Sequence, residues 1–287
     1  MKVILFPGQG TQFTGMGRDL FPAYRELAEL ASETLGYSIE KLCLENREKK
    51  LRLTQYTQPA VYVVNALRYY RTRDEAATDS GVDFVAGHSL GEYNALLAAG
   101  VFDFETGLKL VKKRGELMAA VDGGSMAAVM GVGEDEVREL LREHGLDSID
   151  LVNFNTPTQF IISGPTDAID EAEKVCASKK IRCILLNVTG PFHSRYMVTA
   201  QKVFEGFLRD YRFDDPKIPT IANTTARPHE AGAIARTLAS QIASPVLWTE
   251  SIRYLLRQGA TEFIEMGGSM LTKMVEEIRR MDVTEVA

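Results

Sequence analysis

The sequence offers nucleic acid no basic surface. Its 33 Lys and Arg stand against 39 Asp and Glu, a formal net charge of -6, and neutralising phosphates needs an excess of the opposite sign. Cysteine is scarce: Cys43, Cys176 and Cys183 are the three in 287 residues. They show no C-x-x-C spacing and no histidine cluster accompanies them, so neither a zinc site nor a disulfide framework is indicated, and a reducing, cytoplasmic setting fits best. No apolar run approaches the length of a membrane span. Val3-Ile4-Leu5-Phe6 meets Pro7-Gly8 too soon to be the core of a signal peptide. Internal repeats and low-complexity tracts are missing as well. What remains is an ordinary globular composition, 45% hydrophobic and 25% charged, long enough for one large domain or two unequal ones.

The chain is organised around Val82 to Gly100. Phe84-Val85-Ala86 is a buried-strand run, Glu92 to Ala99 carries good helix formers, and Gly100 is a plausible stop. Between them Gly87-His88-Ser89-Leu90-Gly91 has the G-x-S-x-G pattern of a nucleophile elbow. In a chain with 23 glycines the pattern alone is weak; the strand before it and the helix after it give it weight. The glycines are needed because a Cβ at either position would meet the strand or the helix. Such a turn lifts the Ser89 hydroxyl clear of the sheet. It also aims the first amides of the helix, Leu90 above all, at the point where an oxyanion would form.

Val3 to Phe6 reads as a strand buried on both faces, followed by Pro7-Gly8-Gln9-Gly10-Thr11-Gln12. That loop is neither a dinucleotide fingerprint nor a Walker A loop, since Phe13 stands where a third glycine belongs and no Gly-Lys-Ser/Thr ending follows. Lying at the carboxyl edge of a parallel sheet, it can supply a second oxyanion N–H from Gln9. Helical patterns are expected over Gly17–Leu35, from Pro59 in a first turn to Arg71, and over Phe104–Val121, with a polar loop over Thr72–Gly81. In the third helix Leu110, Val111, Leu117 and Met118 flank Arg114 on its own face. A cation inside an apolar stripe needs an anion, either a substrate carboxylate or one of the chain's own acids.

From Met126 to Val188 the order is β-α-β-β-α-β, with two strands meeting about Asn155-Thr156-Pro157. This predicts an α/β fold: an α/β-hydrolase-like core with a parallel sheet (residues 1–123 and 193–287) plus an inserted ferredoxin-like small subdomain (residues 124–192). After the insertion, strand Pro219–Asn223, helix Ala231–Ile242, a helix from Trp248, strand Thr261–Met266 and a helix to about Arg280 complete the core. His193 stands at the exit of the insertion. It is the preferred general base, because His88 faces away on the tight turn, His144 ends a helix and His229 lies in a polar loop. No acid recommends itself as a third member, so a backbone carbonyl would orient the imidazole.

Phe6-Pro7-Gly8-Gln9-Gly10, Gly87 to Glu92, Lys113-Arg114-Gly115, Phe192-His193-Ser194 and Gln241 to Trp248 together resemble the malonyl-CoA:acyl-carrier-protein transacylases. The likeness spans nearly the whole chain. It looks most like the discrete acyltransferases that serve trans-acyltransferase polyketide synthases, of the disorazole type, with no flanking synthase domain. The resemblance implies that Ser89 is acylated, His193 is the base, Gln9 and Leu90 form the oxyanion hole and Arg114 holds the malonyl carboxylate. It further implies that the Gln241 carbonyl orients His193 and that Asn155 lies near the active site. Malonyl-CoA and an acyl carrier protein would be the partners of a cytoplasmic monomer serving polyketide or fatty acid biosynthesis, with no metal or other cofactor. Carrier proteins are usually acidic, so Lys112, Lys113, Lys179, Lys180, Arg182 and Arg195 are docking candidates, though each also reads as solvated surface.

Phe192 before the histidine and Leu90 after the serine accompany malonyl in related enzymes, whereas Gly190-Pro191 departs from the usual His-Ala. Two alternatives stay open. An acyl hydrolase uses the same dyad and tends to lose the arginine that Arg114 retains; a carrier-binding protein with a vestigial site would form no acyl-enzyme.

Overall fold

The computed structural model describes residues 1–75, 81–188 and 190–285. Strand β1 (Lys2–Phe6) lies between β2 (Val82–Gly87) and β9 (Glu262–Glu265), parallel to both. Strand β2 pairs in parallel with β7 (Thr220–Ala222), whose other edge carries the short antiparallel β8 (Arg227–Pro228). The sheet order is therefore β8-β7-β2-β1-β9. Alternation along β1 explains its unbroken apolar run. Ile4 and Phe6 enter one core, Val3 and Leu5 the core on the opposite face.

The first face is covered by α1 (Arg25–Leu35), α2 (Ile39–Leu44), α3 (Thr54–Glu75), α4 (Gly91–Ala98), α5 (Phe104–Ala119), α8 (Val198–Leu208) and α9 (Ile234–Gln241). The second is covered by α10 (Trp248–Arg257) and α11 (Met270–Glu285). Both catalytic candidates, Ser89 and His193, fall in turns outside these elements.

The second sheet is built from β3 (Gly124–Met130), α6 (Glu134–Glu143), β4 (Asp150–Thr156), β5 (Gln159–Pro165), α7 (Thr166–Ser178) and β6 (Arg182–Leu185). Its order is β4-β5-β3-β6 with every pairing antiparallel. One face, with Ala127, Val129 and Ile162, packs on α6 and α7. The other sends Met126, Ala128 and Ile161 into the main core.

The α/β reading holds, and several boundaries move for physical reasons. Helix α1 starts at Arg25 rather than Gly17, because Gly15 and Gly17 take left-handed turns at φ 100° and 78°. Helix α3 starts at Thr54, which places Pro59 inside it. Packing holds that extra turn: a Cβ on Gly115 of α5 would lie 3.2 Å from the Gln55 backbone, so the helices meet closely there. Strand β4 continues through Thr156 and the reversal falls at Pro157–Thr158, so Asn155 belongs to a strand rather than a turn. The polar loop expected over Thr72–Gly81 is helical to Glu75, and residues 76–80 lie outside the described residues. Among the described residues no helix is long and apolar enough to cross a membrane.

Candidate active site

Strand β2 ends at Gly87, helix α4 opens at Gly91, and Ser89 sits between them with φ 51°. The two glycines are dictated by contact. A Cβ on Gly87 would come within 2.0 Å of the Gly91 carbonyl, and one on Gly91 within 2.0 Å of the Phe6 carbonyl of β1. Holding a serine in the left-handed region costs about 1–3 kcal/mol, and two side-chain amides hold it there. Asn223 Oδ1 accepts from the Ser89 N–H at 2.6 Å while its Nδ2 donates to the Gly87 carbonyl at 2.7 Å. Gln241 Nε2 donates to the Ser89 carbonyl at 2.9 Å.

His193 also has left-handed backbone, φ 62°, and its Nε2 lies 2.7 Å from Ser89 Oγ. Its Nδ1 lies 2.8 Å from the Gln241 carbonyl oxygen. A carbonyl only accepts, so Nδ1 carries the proton and the Nε2 lone pair faces the serine hydroxyl. Burial and the nearby Arg114 charge push the His193 pKa down to about 3, which keeps the imidazole neutral and ready to accept a proton. The other histidines are engaged elsewhere. His88 Nε2 donates to Asn155 Oδ1 at 2.9 Å, and His144 Nδ1 donates to the Leu140 carbonyl at 2.9 Å. His229 lies in the loop after β8, as expected, but its side chain is fully buried and its Nε2 donates to Glu92 Oε1 at 2.7 Å.

Arg114 lies where the apolar stripe of α5 places it, 1% exposed. Nη1 donates to Gln58 Oε1 at 2.7 Å; Nη2 donates to Gln241 Oε1 at 3.0 Å and to Ser89 Oγ at 3.1 Å. The guanidinium carbon lies 5.6 Å from the centre of the Tyr93 ring. Among the described residues no carboxylate forms an ion pair with it, and its Nε is buried without a partner. The alternative of a simple internal salt bridge is thereby removed. Desolvation lowers its pKa, the mark of a buried cation short of an anion.

Leu90 is fully buried as the residue before α4. The loop carrying Gln9 presses on the elbow, since a Cβ on Gly8 would lie 2.4 Å from the His88 carbonyl and 3.6 Å from the Leu90 nitrogen. The Gln9 side chain turns away, donating to Thr54 Oγ1 at 3.2 Å. Phe192 is buried beside His193, and its ring edge would lie 2.6 Å from a Cβ at Gly190, which gives the Gly190 departure a packing reason. Asn155 is not brought to Ser89; its Oδ1 is spent on His88. A cleft of about 660 Å³ opens at His193, lined in part by Arg138, Arg142, Arg195 and Val198. Of the docking candidates only Arg195 borders it, paired with Asp150. Lys112 donates to the Thr34 carbonyl at 3.0 Å, and Lys113 lies over Phe207.

Four residues that the sequence did not single out complete the arrangement: Gln58, Glu92, Asn223 and His229. Each left a signal. Asn223 follows a strand at the sheet edge from which the elbow emerges, and Glu92 is the one charge in the otherwise uncharged run Gly91–Ala98. Among the described residues no group of His, Cys, Asp and Glu is placed to hold a metal ion.

The acyl transferase domain family matches residues 3–285. The polyketide biosynthesis malonyl CoA-acyl carrier protein transacylase PksC of Bacillus subtilis strain 168 is 50% identical over 284 residues, 98% of each chain. Among solved structures, a malonyl CoA-acyl carrier protein transacylase from Burkholderia pseudomallei matches with a TM-score of 0.94 at 48% identity, covering 98% of both chains. A malonyl-transacylase solved in complex with its type II polyketide synthase acyl-carrier protein matches at 0.90, with 32% identity over 97% of this chain and 93% of that one.

Proposed function

The chain belongs to the acyl transferase domain family, and on that footing we propose that it moves a malonyl group from malonyl-CoA, through an acyl-Ser89 intermediate, to the phosphopantetheine thiol of an acyl carrier protein in polyketide biosynthesis. One observation carries the reading. Arg114 is buried, has no carboxylate partner among the described residues and touches the Ser89 hydroxyl, so the free carboxylate of a malonyl thioester completes the site.

Ser89 Oγ attacks the thioester carbonyl as His193 Nε2 takes its proton; the amides of Gln9 and Leu90 receive the developing oxyanion. The Gln241 carbonyl steadies the imidazolium through Nδ1–H. As the tetrahedral centre collapses, the C–S bond breaks and His193 returns the proton to CoA. The carrier thiol then attacks the acyl-serine with His193 acting again as base and acid, so atoms and electrons balance without a metal or redox cofactor. Arg114 fixes the carboxylate, Phe192 walls the acyl pocket, and Asn155 supports the elbow through His88 rather than touching the acyl group.

The cleft that opens at His193 is the route for the pantetheine arm. The parallel sheet with its serine elbow supports an α/β-hydrolase-like reading of residues 1–123 and 193–287. The order β4-β5-β3-β6 supports a ferredoxin-like reading of residues 124–192. One chain supplies Ser89, His193 and Arg114, in keeping with a monomer; a cytoplasmic setting is part of the same proposal. Hydrolysis, the rival reading, gains no support from the relatives, whose names are those of transacylases.

The test is intact-protein mass after brief incubation with malonyl-CoA, acetyl-CoA or methylmalonyl-CoA. A lasting malonyl adduct, absent in Ser89→Ala and discharged by a phosphopantetheinylated carrier protein, supports the proposal. Release of CoA without an adduct, or equal labelling by acetyl-CoA, overturns it.

A further inference from the structure

We propose that Glu92, one turn beyond the nucleophile, is a positioning residue that sets the selectivity of the site for a carboxylate-bearing acyl group; the inference rests on the malonyl-transfer reading and deepens it. Glu92 is fully buried, yet it is not the ion-pair partner of Arg114. Its Oε2 accepts from Gln241 Nε2 at 2.7 Å and from the Asn223 N–H at 3.1 Å, and its Oε1 from His229 Nε2 at 2.7 Å. Gln241 and Asn223 are the two residues whose side chains clamp the peptide groups on either side of Ser89.

The charge matters through the polarity of an amide. A glutamine side chain can present either its oxygen or its NH2 to a neighbour. Here the carboxylate demands the NH2, so Gln241 Oε1 is left facing Arg114 Nη2 at 3.0 Å. The reversed amide would turn an NH2 toward a buried guanidinium and a carbonyl toward a buried carboxylate, two repulsive contacts where burial leaves charges weakly screened. Glu92 thus reaches Arg114 through Gln241, and reaches the elbow backbone through the Gln241 side chain and through Asn223, whose main-chain N–H it holds. His229 closes the far side, and its Nδ1 is buried without a partner among the described residues.

Glu92→Gln keeps the shape and removes the charge that, together with the Ser89 carbonyl and Arg114, fixes the Gln241 orientation. Expected is a fall of about 10-fold or more in the ratio of malonyl to acetyl loading, arising mainly from a higher KM for malonyl-CoA, with thermal stability close to wild type. An unchanged ratio, or equal loss of both acyl groups, overturns the proposal and leaves Glu92 a structural residue. Should Glu92→Gln fail to fold, Gln241→Met carries the test, since it deletes the bridging amide but keeps the carbonyl that holds His193. The same fall in ratio supports the link, and an unchanged ratio overturns it. Wild-type protein that takes no malonyl at all refutes the transferase reading itself, an outcome distinct from either.

Discussion

Arg114 Nη2 and the Ser89 hydroxyl oxygen lie 3.1 Å apart, so the cation that would select the acyl group already touches the atom that would attack it. Selection and reaction therefore share one hydrogen-bond network. Gln241 joins its parts, giving its carbonyl to His193, its Oε1 to Arg114 and its Nε2 to the Ser89 carbonyl.

Arg114→Lys tests whether charge or geometry selects the substrate. A lysine keeps the charge but presents a single ammonium on a flexible stem, which cannot meet Gln58, Gln241, the serine and a carboxylate in one plane. Malonyl loading is expected to fall by about 10²-fold or more, since charge-assisted bonds are each worth roughly 1.5–3 kcal/mol, while acetyl loading changes far less. Acylation kinetics with the two CoA esters measure it. Retention of wild-type malonyl selectivity would mean that a point charge suffices.

The pH dependence follows from His193. Ordinary histidine takes up its proton near 6.5, but burial and the Arg114 charge hold this one down to about 3. Protonated, it cannot act as base; the rate is therefore lost only as pH falls toward the lowered value. With acetyl-CoA as acyl donor, kcat/KM is expected to stay level from pH 8 to about 5, with no inflection near 6.5. Arg114→Met removes one cause of the depression, so its acid limb moves to higher pH, while burial, the larger cause, remains. The same relation implies that a malonyl carboxylate paired with Arg114 restores basicity to His193, which acetyl cannot do. A shared inflection near 6.5 in both proteins would contradict the solvent-excluded base.

The sequence made the elbow legible because its needs are local. A strand, two glycines and a helix are contiguous, and the clashes at Gly87 and Gly91 are those the pattern implies. Arg114 was legible from periodicity alone, since a charge amid Leu110, Val111, Leu117 and Met118 has to face inward. Residues arriving from far along the chain were not. Asn223 stands 134 residues from Ser89, and the Glu92–His229 contact spans 137. No spacing rule links such positions. Gln58 was hidden by the expectation that Pro59 opens α3, whereas packing against Gly115 extends the helix backward and turns Gln58 onto Arg114. Asn155 was expected near the active site from the resemblance, and the hydrogen bond to His88 that occupies its Oδ1 could not be read from the chain.

A paired substitution separates close approach from backbone strain at the two glycine-rich loops. Gly91→Ala puts a Cβ 2.0 Å from the Phe6 carbonyl, an atom of β1 that cannot move without parting the central strands from α4. Gly10→Ala has nothing within 4 Å, and its cost is only the left-handed backbone at φ 107°. The clash decides the order: Gly91→Ala is expected to lose more than about 3 kcal/mol, lowering Tm by roughly 6–12 °C, and Gly10→Ala about 1–2 kcal/mol. Acylation should vanish in the first, because the elbow and the Phe6 edge that supports it are displaced together, and survive in part in the second. Thermal unfolding followed by circular dichroism measures the difference. Equal losses would mean that the contact between strand and helix does not require glycine at position 91, and that the strand edge is soft enough to yield to a methyl group.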